Sequence, residues 1–179
     1  MTLSSKDAEM LDLVNEQDEI IGEVLKVQAN QDPSLWHREV AIILFDKERK
    51  VLFQQRSVKK AVNPGKWSIS CAGHVTKGMT PEEAAYMELN EELGINTKLI
   101  FIDKNLRKEQ HETHFTYWFL GKYIRDEIRL ETEEVEQAKF ISRTELDTLI
   151  DPKVPPSNSV IYAKRFWNGD FDNFIRELE

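Results

Sequence analysis

Three glutamates, Glu88, Glu91 and Glu92, lie within a span of five residues near the middle of the sequence. If residues 80–93 form a helix, spacings of three and four residues place all three carboxylates on one face. Like charges at this distance repel one another, and a divalent cation bound by oxygen ligands would remove the repulsion. Mg2+ suits such a site because it combines carboxylate ligands with the phosphate oxygens of a substrate. A solvated acidic face would show the same spacing, so the flanking residues have to distinguish the two interpretations.

The residues around the glutamates predict the helix that must carry them. Thr80 suits the N-cap position, Pro81 suits the first helical position, and Glu83 completes a capping box with Thr80. Gly94 stands where a helix commonly ends. Residues 67–71 are typical of a short strand and lead almost directly into Gly73. The carboxylates are therefore expected on a helix with defined ends, which follows a strand and a glycine-containing loop.

Composition narrows the possible function classes. The 179 residues favour one domain, 1–179, and the net charge of -8 disfavours a nucleic-acid or anionic-membrane surface. An acidic protein still binds an anionic substrate when metal ions lie between them. The single cysteine, Cys71, excludes an internal disulfide and a multi-cysteine zinc site. No signal peptide or membrane-spanning stretch is visible, so we expect a cytoplasmic protein.

Strand and helix patterns alternate along the sequence and predict an α/β sandwich with a mixed sheet. The apolar run at residues 40–45 predicts a central strand that is covered on both faces. We expect an N-terminal hairpin at 11–27, a core at about 36–150 and a C-terminal helical segment at 157–179. The predicted core strands are 36–45 and 51–56, which form a second hairpin, followed by 67–71, 98–102, 112–124 and 137–141.

The stretch 73–95 resembles the signature of the Nudix hydrolase family, G-x5-E-x7-R-E-U-x-E-E-x-G-U, in which U is a bulky aliphatic residue. Seven of the nine defined positions match in register: Gly73, Glu88, Leu89, Glu91, Glu92, Gly94 and Ile95. Residues 52–56 and 64–67 resemble the family's lead-in strand and loop, and residues 133–135 resemble its acidic segment. On these motifs the sequence is identified as a member of the family over about residues 37–150.

The resemblance implies an α/β/α sandwich and Mg2+- or Mn2+-dependent cleavage of a diphosphate that is linked to another group. The implied substrate is a nucleoside diphosphate derivative or a similar small molecule, and the chain's flanking segments suit a homodimer surface. The expected metal ligands are Glu88, Glu91, Glu92 and a backbone carbonyl at or near Gly73.

Catalysis also needs a group that accepts a proton from the attacking water, and groups that hold the phosphates. Glu91 and Glu134 are the candidate catalytic carboxylates, and Glu133 and Glu136 compete with Glu134 for this role. Arg56 and Lys59 are the candidate phosphate-binding residues because they lie just upstream of the signature.

Two positions depart from the signature. Met79 stands where the family has glutamate, and Met87 stands where it has arginine. The arginine is implied to orient the neighbouring glutamates through charge-assisted hydrogen bonds, which methionine cannot donate. One alternative function is therefore a catalytically weak Nudix domain that binds a nucleotide or a partner.

A second enzymatic alternative is isopentenyl-diphosphate isomerase, which the order of the Trp-His, Gln-Gln-Arg and Gly-His segments resembles. The isomerase places a cysteine directly before the Gly-His pair, where this sequence has Ala72, with Cys71 one residue earlier. It also has two carboxylates one residue apart on a later strand, where this sequence has Glu112 and then His114. A slip of one residue on a strand turns the side chain to the other face, so the isomerase is disfavoured.

The four histidines do not suggest a metal site from their spacing alone. His111 and His114 lie three residues apart on a predicted strand, which makes them a poor pair of metal ligands. His37 and His74 are interpreted as structural or surface residues.

Overall fold

The computed structural model describes residues 8–60, 63–124, 127–149 and 157–179. Its strands are β1 (Met10–Val14), β2 (Ile20–Leu25), β3 (His37–Phe45), β4 (Val51–Arg56), β5 (Trp67–Ile69), β6 (Cys71–His74), β7 (Leu99–Lys108), β8 (Thr113–Lys122) and β9 (Val135–Ile141). Its helices are α1 (Lys26–Ala29), α2 (Pro81–Leu93), α3 (Arg143–Leu149), α4 (Asn158–Asn168) and α5 (Asp172–Leu178). Among the helices in these ranges, none combines the length and the apolar character needed to cross a lipid bilayer. The predicted core boundary at residue 150 falls outside the described residues.

Seven strands form one mixed sheet. Its main path runs β5-β4-β3-β8-β7, while β6 pairs with β3 and β9 pairs with β4. β3 and β8 are parallel along nine residue pairs, and the other pairings in the sheet are antiparallel. The sequence prediction of a central, doubly covered strand is confirmed, because residues 40–45 of β3 are all buried.

Helices cover the two faces of this sheet. Val40, Ile42 and Leu44 of β3 point to one face and pack in a cluster with Leu89 of α2. The alternate residues of β3, such as Ile43, point to the other face, where they meet apolar side chains of α3, α4 and α5. The predicted α/β/α sandwich is therefore confirmed.

The predicted second hairpin is only partly right, because β3 and β4 pair only at Phe45 and Val51. Beyond this pair the two strands diverge, and the chain after residue 66 fills the gap with two short strands instead of one. β5 pairs with β4 and β6 pairs with β3. Ser70 lies at the fork, where its hydroxyl accepts a hydrogen bond from the Leu44 amide (2.8 Å) and donates to the Leu52 carbonyl (2.7 Å). The divergence of β3 and β4 therefore leaves room for β6 to pair with β3.

β1 and β2 form a separate two-stranded sheet, and an aspartate in their connecting turn is one of its links to the main sheet. Asp18, in the connecting turn, has a left-handed φ of 64°, which aspartate tolerates better than most residues. Its carboxylate accepts bonds from Arg38 Nε (2.6 Å), Lys104 Nζ (3.0 Å) and the Tyr117 hydroxyl. The chain then departs from the predicted hairpin 11–27 at its end, because residues 26–29 form the single turn α1.

The helix that carries the three glutamates has the predicted caps. The Thr80 side chain accepts a bond from the Glu83 amide, and the Glu83 carboxylate accepts one from the Thr80 amide. Gly94 ends the helix with a left-handed φ of 67°. These local contacts explain why the sequence predicts the bounds of α2 so closely.

Candidate functional site

Glu88 of α2 packs directly against β6. A Cβ atom at position 73 would overlap the Glu88 carboxyl group, so the glycine at this position makes room for that group. Burial and the neighbouring charge of Glu92 raise the pKa of Glu88 to about 8. A carboxyl group that burial and like charges disfavour as an anion is well placed to bind a cation.

Glu92 is buried, and its orientation is defined by two donors. Gln54 of β4 donates from Nε2 to Glu92 Oε2 over 2.9 Å, and the thiol of Cys71 also donates to this carboxylate. Burial raises the pKa of Glu92, although these two hydrogen bonds oppose the shift. The third carboxylate, Glu91, is exposed, and its charge acts on both Glu88 and Cys71. The structure therefore brings together the three predicted metal-binding carboxylates.

The two methionines that depart from the signature lie near this site without offering a charge to it. Met79 is half-buried and packs against the apolar cluster beneath α2, and Met87 is half-buried on α2 itself. The bond from Gln54 to Glu92 provides an uncharged donor for one of the glutamates. Sequence reasoning missed Gln54 because it lies 38 residues from its acceptor.

Apart from Glu91 on α2, the predicted phosphate-binding and catalytic residues lie on β4 and the two loops beside it. The charge of Arg56 lowers the pKa of Glu92 and of Glu39, so Arg56 lies near both carboxylates. Lys59 is exposed and pairs with Glu133 (2.5 Å), whereas Lys60 pairs with Glu134 (2.7 Å) in a more buried position. The charge of Glu134 raises the pKa of Glu92, so Glu134 acts on one of the three glutamates. The competitor Glu136 is exposed.

A second group of polar residues, His37, Glu39, His74 and Glu112, converges on the other face of the sheet. One potential ligand atom of each residue lies within 4.8 Å of the corresponding atoms of the others. Strand register explains the convergence, because His37 and Glu39 alternate onto one face of β3 and His74 is the Cα partner of Glu39 on β6. Glu112 is the residue immediately before β8. We call these four residues the His/Glu cluster.

Two further residues contact the His/Glu cluster. The Nε2 atom of His114 lies 3.1 Å from Glu39 Oε2, and His114 is the Cα partner of His37. The Nε2 atom of His74 lies 2.9 Å from Asn30 Oδ1 and 3.6 Å from Glu39 Oε1. Asn30 caps α1, so the N-terminal segment forms one wall of the cluster.

Burial determines the charge state of the cluster. It lowers the pKa of His37, His74 and His114, the last to about 3, so the three imidazoles are neutral at pH 7. Burial also raises the pKa of Glu39, and burial together with the charge of Glu39 raises the pKa of Glu112 to about 7.

The interpretation of His37 and His74 as structural or surface residues did not anticipate that the two side chains meet. Their rings stack with centroids 5.2 Å apart, and the ring of His114 lies 5.4 Å from that of His37. The predicted poor pairing of His111 with His114 is consistent with the structure, since His111 is exposed and His114 is buried. The only local signal for the cluster was the alternation of His37 and Glu39 on one strand.

The His/Glu cluster and the three glutamates lie on opposite sides of β6. Gly73 is the Cα partner of Val40, which faces α2, whereas His74 is the partner of Glu39, which faces away from α2. The charge of Lys26, from α1, lowers the pKa of both Glu88 and Glu39, so this residue acts on both groups. Its ammonium pairs with Glu9 (2.7 Å).

Comparison with known proteins places this arrangement in a family. A model described as NUDIX domain matches residues 35–164. An isopentenyl-diphosphate Delta-isomerase of Streptomyces avermitilis is 33% identical over 147 residues, which cover 78% of this chain and 74% of that protein. An uncharacterized Nudix hydrolase of Listeria monocytogenes is 32% identical over 144 residues, which cover 77% of this chain and 82% of that protein. A crystal structure of a Deinococcus radiodurans protein shares the fold with a TM-score of 0.74 at 20% identity, covering 89% of this chain and 99% of that one.

Proposed function

We propose that this chain, which belongs to the NUDIX family, hydrolyses a diphosphate linkage in a nucleoside diphosphate derivative or a similar small molecule. One observation carries the proposal. Glu88, Glu91 and Glu92 lie together near the end of α2, and the half-buried carboxyl group of Glu88 fits against β6 only because residue 73 has no side chain.

The three carboxylates fit a divalent cation of the hard type. They offer oxygen ligands, they destabilise one another as anions, and Gly73 leaves space for the Glu88 carboxyl group. When bound, Mg2+ or Mn2+ would neutralise charge on the diphosphate and make a water molecule more acidic. The chain's own contribution is orientation, since Gln54 and Cys71 hold the Glu92 carboxylate by hydrogen bonds.

Substrate binding is assigned to the cations that border the three glutamates. Arg56 lies near Glu92, and Lys60 lies beside Glu134 in a partly buried position. Lys59 is more exposed, and we assign it an outer position along the same loop. These cations offset the repulsion between a chain of net charge -8 and an anionic substrate.

Proton transfer from the attacking water is assigned to Glu134, with Glu91 as the second carboxylate at the solvent-facing side. Glu134 lies near Glu92, and its ion pair with Lys60 (2.7 Å) holds the carboxylate in a defined position. Of the acidic residues 133, 134 and 136, Glu134 is the least exposed. A buried, oriented carboxylate is better placed to accept a proton than a freely rotating one.

The experiment is a hydrolysis assay on a panel of nucleoside diphosphate derivatives with Mg2+ and with Mn2+. Glu88→Gln and Glu92→Gln should each lower kcat/KM by about 100-fold or more, because a displaced or weakened ligand misplaces the reacting groups. Glu82→Gln is the matched control, since Glu82 is exposed in the first turn of the same helix. Tight binding of a panel member without turnover would instead support the catalytically weak domain.

Isopentenyl-diphosphate isomerase is the second candidate function, because relatives that carry this name are up to 34% identical over 147 residues. The faces of β6 weigh against it. Cys71 packs on the α2 side of the sheet, whereas Ala72 faces the opposite side, where the His/Glu cluster lies. Adding isopentenyl diphosphate to the panel, with separate detection of isomer and of released phosphate, distinguishes the two reactions.

A further inference from the structure

We infer that Gln54 belongs to the metal site of the three glutamates, where its side-chain oxygen accepts a hydrogen bond from a water molecule of the bound cation. This role rests on the proposed function, because it requires that Glu88, Glu91 and Glu92 bind a divalent cation. It also goes beyond that function, since Gln54 lies outside the Nudix signature, on strand β4.

Only one end of the Gln54 amide has a partner within the described part of the chain. Nε2 donates to Glu92 Oε2 over 2.9 Å, and because a carboxylate only accepts, this bond fixes which end of the amide faces Glu92. The other end, Oε1, is buried and has no hydrogen-bond partner among the described residues. The residue is 8% exposed, so bulk water has little access to it. A buried acceptor without a donor destabilises a fold, which indicates that a bound group supplies the donor.

The adjacent glutamine provides a comparison on the same strand. Gln55 Nε2 donates to the Gly65 carbonyl (2.8 Å), and Gln55 Oε1 accepts from Gln137 Nε2 (2.6 Å). Both ends of this amide therefore have partners within the protein. Because successive residues of a strand face opposite sides, Gln55 points away from the three glutamates. The glutamine with an unused oxygen is the one on the face that carries the glutamates.

A hydrated divalent cation can supply the missing donor. Mg2+ is bound through few protein carboxylates and keeps several of its water molecules, which donate hydrogen bonds through their O–H groups. An amide oxygen accepts such a bond without adding charge to the site. A cation held by Glu92 lies close to Gln54, because the amide already contacts that carboxylate.

Gln54 also supplies a donor that the departure from the signature removes. Met87 stands where the signature has arginine, and its thioether donates no hydrogen bond. Gln54 donates to Glu92 from another element of the fold. Because this donor is uncharged, it orients the carboxylate and leaves the negative charge of the carboxylate to attract the cation.

The backbone of Gln54 is held on both sides. The residue lies opposite Ser68 of β5 and opposite Ala138 of β9. β4 therefore has a neighbouring strand on each side at this position, so the amide moves mainly through its own side-chain torsions. A residue held in this way is suited to orient a metal ligand, a contribution of about 10- to 100-fold in affinity.

The test is the binding of Mn2+ to the purified protein, followed by the electron paramagnetic resonance signal of free Mn2+. Gln54→Met has a similar length but lacks both the donor and the acceptor, so it should weaken Mn2+ binding by about 10- to 100-fold. Gln55→Met is the matched control and should bind Mn2+ as the wild type does, because both ends of Gln55 have partners elsewhere. The rise in unfolding temperature that Mn2+ causes should shrink in Gln54→Met alone. A residue that only stabilised the fold would not change that rise.

Gln54→Glu separates the two ends of the amide. A carboxylate at this position keeps an oxygen that accepts from water, but it cannot donate to Glu92. It should therefore bind Mn2+ more tightly than Gln54→Met, by more than the change that the added charge of Gln55→Glu causes. The role of Gln54 is overturned if Gln54→Met binds Mn2+ as the wild type does, or if Gln54→Glu binds it no more tightly than Gln54→Met.

Glu92→Gln distinguishes a failure of this role from a failure of the proposed function. Weaker Mn2+ binding in both Glu92→Gln and Gln54→Met supports the role. If Glu92→Gln weakens Mn2+ binding and hydrolysis while Gln54→Met changes neither, the glutamates bind the cation and only the role of Gln54 is overturned. If the wild type binds no Mn2+, the role and the metal-dependent function are both overturned.

Discussion

The carboxyl group of Glu88 occupies the space that a side chain on Gly73 would need. The two residues belong to different elements, helix α2 and strand β6, which pack against one another on the side of the sheet that also holds Leu89. The contact fixes where the first carboxylate of the site lies relative to the strand. The glycine of the Nudix signature is therefore explained here by close approach and not by a turn.

Gly73→Ala should displace the Glu88 carboxylate and reduce hydrolysis by about 100-fold, the cost of a small misplacement of reacting groups. Overpacking should also lower the free energy of unfolding by about 1–3 kcal/mol. Steady-state kinetics and urea denaturation measure the two effects. Gly22→Ala is the control, because a Cβ there meets only Leu13 Cδ2 at 3.8 Å. Adding Glu88→Ala to Gly73→Ala should restore stability without activity; an unchanged kcat in the single variant would contradict the explanation.

Glu134→Gln should lower kcat by about 100-fold or more with little change in KM, because an amide cannot accept the proton from water. Glu133→Gln provides the comparison, since Glu133 belongs to the same loop and also pairs with a lysine but is exposed. Initial-rate kinetics on the best substrate of the panel measure both variants. Equal effects of the two substitutions would show that the loop contributes charge alone and would remove Glu134 as the proton acceptor.

Asp18→Asn should lower the free energy of unfolding by about 1–2 kcal/mol at pH 7. The side chain is 5% exposed and loses charged bonds with Arg38 and Lys104, of which Lys104 is partly screened by solvent. Asparagine tolerates the left-handed backbone at this position, so the substitution tests the charge. Asp32→Asn, in an exposed loop, should have little effect.

The contribution of Asp18 should also depend on pH. Burial would raise its pKa, but hydrogen bonds from Tyr117, Arg38 and Lys104 reverse the shift and bring the pKa below its usual value of 3.8. A depressed pKa stabilises the fold above the unfolded pKa, and this stabilisation is lost as the pH falls through the folded value. The stability difference between wild type and Asp18→Asn should therefore be constant from about pH 5 to 7 and shrink below about pH 4. A difference that grew on acidification would contradict this assignment.

Ser70→Ala should lower the free energy of unfolding by about 1–3 kcal/mol, because it leaves a buried amide of Leu44 and a buried carbonyl of Leu52 without the hydroxyl between them. Urea denaturation of this variant and of Ser34→Ala, an exposed loop serine, gives the comparison. If both variants unfold at the same urea concentration as the wild type, the serine does not stabilise the fork between β3 and β4.

Sequence alone determined the features that depend on nearby residues. The capping box of Thr80 and Glu83, the terminal Gly94 and the spacing of Glu88, Glu91 and Glu92 all involve residues a few positions apart. A helix relates such residues by a fixed geometry, so their arrangement follows once the helix is recognised. The fold class followed for the same reason, since the periodicity of the strands and helices is local.

Tertiary structure decided the contacts between residues that are far apart in the sequence. Gln54 reaches Glu92 across 38 positions, and His37, Glu39, His74 and Glu112 meet through the register of β3 with β6 and β8. A shift of one residue in that register would turn His74 toward α2 and take it out of the cluster. Periodicity shows which side chains share a face of one strand, but only the pairing between strands sets which neighbours they meet. The signature glutamates could therefore be predicted from the sequence, whereas the His/Glu cluster could not.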